Sequence, residues 1–215
     1  MFIGYFSAAN SVTLFGLVSA VTACFLAANG NFKFAITMLL VSCLCDAFDG
    51  KIARSKRNRT PAEKFYGVQL DSLCDVISFG VAPCFISYAF GFNGALDVII
   101  YGLFIVCGAT RLAYFNTLSN EQPGKMMKTF RGVPIPVSTL VISILFLLTT
   151  FIAPGTSIWI FRIVLFVNAI AFIVNVKIKK PTMIQGAIFL GIQIIVILIL
   201  LLAGDCQAPL EATIA

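Results

Sequence analysis

The chain alternates long apolar stretches with short polar breaks. Seven stretches are apolar over the roughly 20 residues that a helix needs to cross a bilayer: 10–29, 33–54, 67–91, 95–117, 133–153, 157–176 and 183–203. The last, Met183 to Ala203, carries no charge. Asn29-Gly30-Asn31, Phe92-Asn93-Gly94 and Ala153-Pro154-Gly155 read as tight connections. Two hydrophilic segments, 55–66 and 118–132, read as longer loops. No internal repeat or low-complexity tract is visible. The first residues, MFIGYFSAAN, lack a basic region and a cleavage site, and read as an interfacial lead-in. The expected fold is all-α: a polytopic transmembrane helix bundle of about seven spans, forming one integral membrane domain over residues 1–215.

Composition sharpens that picture. Of 215 residues, 60% are hydrophobic and 11% charged, less than half of the roughly one quarter charged in soluble domains. There is no histidine, which excludes Ser-His-Asp and Cys-His catalysis and His-ligated zinc. The seven cysteines fall mostly in apolar stretches; Cys43 and Cys45 point to different faces of one helix, so buried free thiols are expected. Chemistry at neutral pH must rest on carboxylates and basic residues, with or without a metal.

Charge orients the bundle. Lys56, Arg57, Arg59 and Lys64, then Lys125, Lys128 and Arg131, then Lys177, Lys179 and Lys180 all fall on one side if successive spans alternate direction. Lys33, Asp205 and Glu211 fall on the other. This asymmetry predicts a cytoplasmic N-terminus. The net charge of +6 then belongs to a cytoplasmic face suited to anionic headgroups, with no nucleic acid needed as partner.

The informative residues are four acids in apolar surroundings. Asp46 and Asp49 share a helix face at i and i+3; Asp71 and Asp75 do so at i and i+4. A carboxylate at mid-membrane costs roughly 2.5–3.5 kcal/mol, less near an interface. Gly50, Ala53 and Gly67 lie beside the acids and let a helix or ligand approach the backbone. The chain returns to the same side between these spans, so the two acidic faces can meet. Clustered oxygen donors suit Mg²⁺, Mn²⁺ or Ca²⁺ rather than zinc. Spacing alone leaves open an intramembrane ion or proton pathway, or helix-end acids paired with Lys51 and Arg54.

The run Asp46-Ala47-Phe48-Asp49-Gly50-Lys51-Ile52-Ala53-Arg54, followed by Gly67-Val68-Gln69-Leu70-Asp71-Ser72-Leu73-Cys74-Asp75, resembles the signature DxxDGxxAR…GxxxDxxxD of the CDP-alcohol phosphotransferases. All eight defining residues are present. The spacer between Arg54 and Gly67, 12 residues, is longer than the family usually shows, and is expected to lengthen the loop without moving either helix face. Asn10 and Thr13 resemble the family's NxxT element. LDSLCDVISFGVAP (70–83), RLAYFN (111–116) and FRGVPIP (130–136) are similar to the phosphatidylserine synthase branch. The likeness covers about residues 8–137, with the signature at 46–75, and the additional spans within 157–203 contribute only hydrophobicity.

The resemblance implies a reaction: CDP-diacylglycerol (or an ether-lipid analogue) and L-serine give phosphatidylserine and CMP, by direct displacement at the cytoplasmic face of the cytoplasmic membrane. It implies that Asp46, Asp49, Asp71 and Asp75 hold one or two Mg²⁺ or Mn²⁺ ions, with Asp75 also the general base. Asn10, Thr13, Asp46, Gly50, Ala53, Arg54 and Gly67 would bind the CDP-lipid. Arg111, Asn116 and Arg131 are candidates for the serine acceptor, since a guanidinium fork suits its carboxylate; Arg111 has the alternative of pairing with an aspartate. Ser78 reads as a packing hydroxyl, and Lys56, Arg57, Arg59 and Lys64 as topology determinants and lipid contacts. The family also implies a homodimer. Glycerol 3-phosphate or inositol phosphate as acceptor, a metal-dependent prenyltransferase and an ion transporter are the competing readings; the second half lacks the repeated aspartate motif of the prenyltransferase and the repeats or broken helices of a transporter.

Overall fold

The computed structural model describes residues 3–56, 59–121, 129–131, 134–149, 154–175, 177–179 and 183–202. Its helices are α1 (Ala8–Ala28), α2 (Phe32–Ser55), α3 (Pro61–Asp75), α4 (Ala82–Ala89), α5 (Ala95–Glu121), α6 (Ile135–Thr149), α7 (Pro154–Ile173) and α8 (Met183–Leu202). A π-helical stretch, Val76–Val81, joins α3 to α4 as one rod. That rod and the other helices match the seven expected spans, and the all-α bundle stands. Five of them are long and apolar enough to cross a membrane: α1, the α3–α4 rod, α5, α7 and α8. Helix α6, 15 residues as described, is about 22 Å long, short of a hydrocarbon core of roughly 30 Å. Helix α2 has the length but carries Asp46, Asp49, Lys51 and Arg54 in its second half.

Both expected loops are shorter than their polar composition suggested. Segment 55–66 does not stay irregular up to residue 67: α3 starts at Pro61. Thr60 Oγ1 accepts from Glu63 N–H at 3.2 Å, and Glu63 Oε2 accepts from Thr60 N–H at 2.8 Å. This reciprocal cap satisfies two helix-end donors, and Pro61 occupies a position that needs none. The long spacer is therefore spent partly on helix. Segment 118–132 is likewise trimmed, because α5 continues to Glu121. Within it β1 (Thr129–Arg131) pairs antiparallel with β2 (Lys177–Lys179), Arg131 opposite Lys177. This ribbon ties the α5–α6 connection to the α7–α8 connection and is the departure from helix among the described residues.

The bundle has two distinct ends. Helices α1 and α2 form an antiparallel hairpin turned by Gly30, whose φ of 77° only glycine adopts freely. They approach closely at Gly16, where a Cβ would lie 3.0 Å from Cys45 Cβ. Ser19 Oγ donates to Met38 O at 2.8 Å across the same seam. At the closed end of this hairpin Phe32, Phe90, Phe92, Phe146 and Phe161 stack with centroids 4.6–5.5 Å apart. Lipid removes the usual hydrophobic drive between helices, so such a cluster holds α2, the α4–α5 connection, α6 and α7 together by close packing. Asp97 and Arg162 join α5 to α7 beside it through two bonds of 2.6 and 2.9 Å. The carboxylates gather at the opposite end, where α1 begins, α2 ends and α3 begins.

Candidate active site

The acidic faces of α2 and α3 meet, as their spacing requires. One oxygen each from Asp46, Asp49 and Asp71 lie within 4.8 Å of one another. Asp49 is buried, and its Oδ2 accepts from the Thr13 hydroxyl at 2.5 Å. Asp75 stands outside that set of three. With Asp46, Asp49, Ser42 and Ser78 it lines a space of about 10 Å³ behind the trio.

Among the described residues no basic side chain forms an ion pair within 4 Å with this group. Among the described residues the ion pair within 4 Å is Asp97–Arg162, far from the acids in the fold. Lys51 rests over the Phe48 ring at 5.5 Å, and Arg54 packs against Gly50, where a Cβ would lie 3.3 Å from Nη1. The alternative of helix-end acids paired with Lys51 and Arg54 is therefore not what the side chains do. Three converging carboxylates repel unless a cation bridges them, and an all-oxygen donor set of this spacing fits a hard divalent ion.

In front of the trio lies a cavity of about 500 Å³ between α1, α2 and α3. Asn10, Thr13, Gly50, Ala53, Arg54 and Gly67 all line it, together with Asp49 and Asp71; Asp46 sits behind. Asn10 is held by its own helix start: its N–H donates to Ser7 Oγ at 3.2 Å and its Nδ2 to Tyr5 O at 2.7 Å. Lys56, Arg59 and Lys64 line the same cavity. Sequence alone reads them as topology determinants and lipid contacts. The overlooked signal is the capping-box string Thr60-Pro61-Ala62-Glu63, which starts α3 at Pro61, between Arg59 and Lys64.

The acceptor candidates do not converge. Arg111 lines a separate cavity of about 270 Å³ with Thr110, Tyr114, Phe115, Phe172 and Asn175. Its guanidinium stacks 4.7 Å from the Phe115 ring centre, and its Nε is buried with no hydrogen-bond partner among the described residues. It forms no ion pair within 4 Å with Asp75. Asn116 is occupied elsewhere: its Nδ2 donates to Ser72 Oγ at 2.9 Å, tying α5 to α3 beside Asp71. The backbone of Arg131 is in β1; its side chain, like Arg57, lies outside the described residues.

Comparison with known proteins agrees with this geometry. The chain is 42% identical over 105 residues to a CDP-diacylglycerol–serine O-phosphatidyltransferase of Saccharomyces cerevisiae, covering 46% of this chain and 36% of that protein. It is 33% identical over 141 residues to a Helicobacter pylori protein of the same name, covering 65% and 56%. To an archaetidylserine synthase of Methanothermobacter thermautotrophicus it is 37% identical over 123 residues, covering 57% and 50%. The chain thus spans about half the length, or less, of these relatives. The family description CDP-alcohol phosphatidyltransferase matches residues 6–176, taking in the acidic trio, the cavity before it and the helix that carries Arg111. This protein belongs to the CDP-alcohol phosphatidyltransferase family.

Proposed function

We propose that the protein transfers a phosphatidyl group from CDP-diacylglycerol, or an ether-lipid analogue, to L-serine, yielding phosphatidylserine and CMP. The observation that carries this reading is the convergence of Asp46, Asp49 and Asp71 at the wall of a cavity large enough for a nucleotide diphosphate. The names of the three relatives support a serine acceptor.

The residues divide the work as follows. Asp46, Asp49 and Asp71 hold one or two Mg²⁺ or Mn²⁺ ions, Thr13 fixing the rotamer of Asp49. When bound, such an ion withdraws charge from the attacked phosphorus and stabilises the departing CMP. Gly50, Ala53 and Gly67 keep the cavity floor low, and Asn10 and Arg54 offer donors to nucleotide and phosphate. Asp75, adjacent to the trio but outside it, takes the proton from the serine hydroxyl. Arg111 approaches from the α5 side with an unused donor and receives the serine carboxylate. The lipid tails remain in the bilayer.

The basic segments at the carboxylate end support placing the N-terminus and the site at the cytoplasmic face of the cytoplasmic membrane. A homodimer and a single membrane domain complete the proposal. One observation favours a second acceptor class. Lys56, Arg59 and Lys64 add positive charge to the cavity, which a phosphorylated acceptor such as glycerol 3-phosphate or inositol phosphate would use. Of these, Arg59 lies against Gly67 and Asn10, where the nucleotide is placed, and serine remains the first choice. The test is incorporation of labelled L-serine into lipid by purified protein given CDP-diacylglycerol and Mg²⁺ or Mn²⁺. No label in lipid, from folded protein with both ions tried, would overturn the serine assignment.

A further inference from the structure

Arg59 occupies an unusual place. Its Nη2 sits where a side chain at Gly67 would begin: a Cβ there would lie 2.6 Å from it. The same Cβ would lie 3.6 Å from Asn10 Oδ1, so Arg59 and Asn10 meet over one glycine of α3. The guanidinium is held by two main-chain oxygens, Ala53 O at 3.5 Å from Nη1 and Glu63 O at 3.2 Å from Nη2. Those oxygens belong to the end of α2 and the start of α3, so the arginine clasps the two helices that carry the acids. Two of its five N–H groups are used in this way. The remainder have no hydrogen-bond partner among the described residues, in a cavity that Arg59 lines.

The cavity carries both signs of charge: Asp49 and Asp71 line it, and so do Arg54, Arg59 and Lys64. A cation held on the carboxylates would face these basic side chains, and the complementary guest is a polyanion with two adjacent phosphates.

The geometry points to Arg59 as a further diphosphate-binding residue, supplied by the lengthened α2–α3 linker and seated in the space that Gly67 leaves open. This rests on the proposed reading of the cavity as a CDP-lipid site. It also gives Gly67 a specific task in this chain: it admits the guanidinium, which in turn meets the phosphates. A planar fork pinned at two carbonyls is pre-oriented for phosphate oxygens.

The test is calorimetric, on purified full-length protein in detergent with Mn²⁺, using CDP and cytidine as probes. Arg59→Gln should weaken CDP binding about tenfold, the scale of one charge-assisted hydrogen bond, while cytidine binding and Mn²⁺ binding without nucleotide stay as in the wild type. Gly67→Ala should weaken CDP binding in the wild type and add little in the Arg59→Gln background, because both changes remove the same contact. Wild-type affinity for CDP in Arg59→Gln, equal losses for cytidine and CDP, or fully additive effects of the two substitutions would each overturn the assignment. Loss of Mn²⁺ binding in Arg59→Gln would overturn it in favour of a purely structural clasp. A wild type that binds no cytidine nucleotide would overturn the proposed function, and this inference with it; failure of Arg59→Gln alone leaves that function standing.

Discussion

The hydroxyl of Thr13 lies 2.5 Å from Oδ2 of Asp49, although the two residues are 36 apart in the chain. Thr13 is in the second turn of α1 and Asp49 in the second half of α2, so the bond spans the antiparallel hairpin at its open end. It sets the direction of the most buried acid of the trio. Partners of this kind, one step behind a metal-binding group, change metal affinity by roughly 10–100-fold when removed. Thr13→Val keeps the shape and deletes the donor. It is expected to weaken Mn²⁺ binding within that range while leaving the fold intact; unchanged Mn²⁺ affinity would contradict the role given to Thr13.

Asp75 and Asp46 are expected to fail differently. Asp46 is one of three converging oxygen donors and Asp75 is not. Asp46→Ala should weaken both cation and CDP-lipid binding. Asp75→Asn should retain both and lower turnover by the roughly 10²–10⁴-fold that a general base contributes. Near-normal turnover in Asp75→Asn would refute the base assignment, and unchanged cation affinity in Asp46→Ala would refute coordination there.

Arg111 offers a separable prediction because its cavity is separate from the one before the trio. Arg111→Lys retains charge and loses the planar fork. The KM for serine should rise about tenfold or more, with the KM for CDP-diacylglycerol little changed. Equal increases in both constants, or a general loss of folded protein, would make Arg111 a structural residue.

The opposite end of the bundle should govern stability alone. Asp97 is buried, receives Arg162 through two bonds and accepts from Gly94 N–H at 3.0 Å. Removing one partner of a buried pair leaves the other charge uncompensated, at a cost of roughly 3–5 kcal/mol; the Arg162 side chain is 21% exposed, which favours the lower figure. Asp97→Asn should lower the thermal midpoint in detergent yet leave CMP release per folded molecule unchanged. A selective loss of activity without loss of stability would show coupling between the two ends.

Much of this was readable in the sequence because it is local. Helix positions follow from apolar runs, and the pairing of acids on each helix follows from i, i+3 and i, i+4 spacing. The meeting of Asp46, Asp49 and Asp71 follows from the chain's return between α2 and α3. The start of α3 was also readable, since Thr60 and Glu63 spell a capping box, but polar composition outweighed it. Other features depend on how helices cross, which no local pattern states. The insertion of Arg59 over Gly67 is one. The π-helical stretch Val76–Val81 just after Asp75 has no sequence signature, because widening a helix by one residue leaves the apolar run unbroken. The engagement of Asn116 by Ser72 likewise needed the α3–α5 approach to be seen.

Acceptor-dependent release of CMP tests the central claim most directly. Purified protein in liposomes would receive CDP-diacylglycerol and Mn²⁺ or Mg²⁺, with L-serine, glycerol 3-phosphate or inositol phosphate in parallel and a chelator control. The expected result is release with serine, abolished by the chelator and by Asp46→Ala. Release only with a phosphorylated acceptor would contradict the serine assignment while keeping the carboxylate site. No release with any acceptor, from folded protein that still binds Mn²⁺, would contradict the transferase reading and return the acids to an ion pathway.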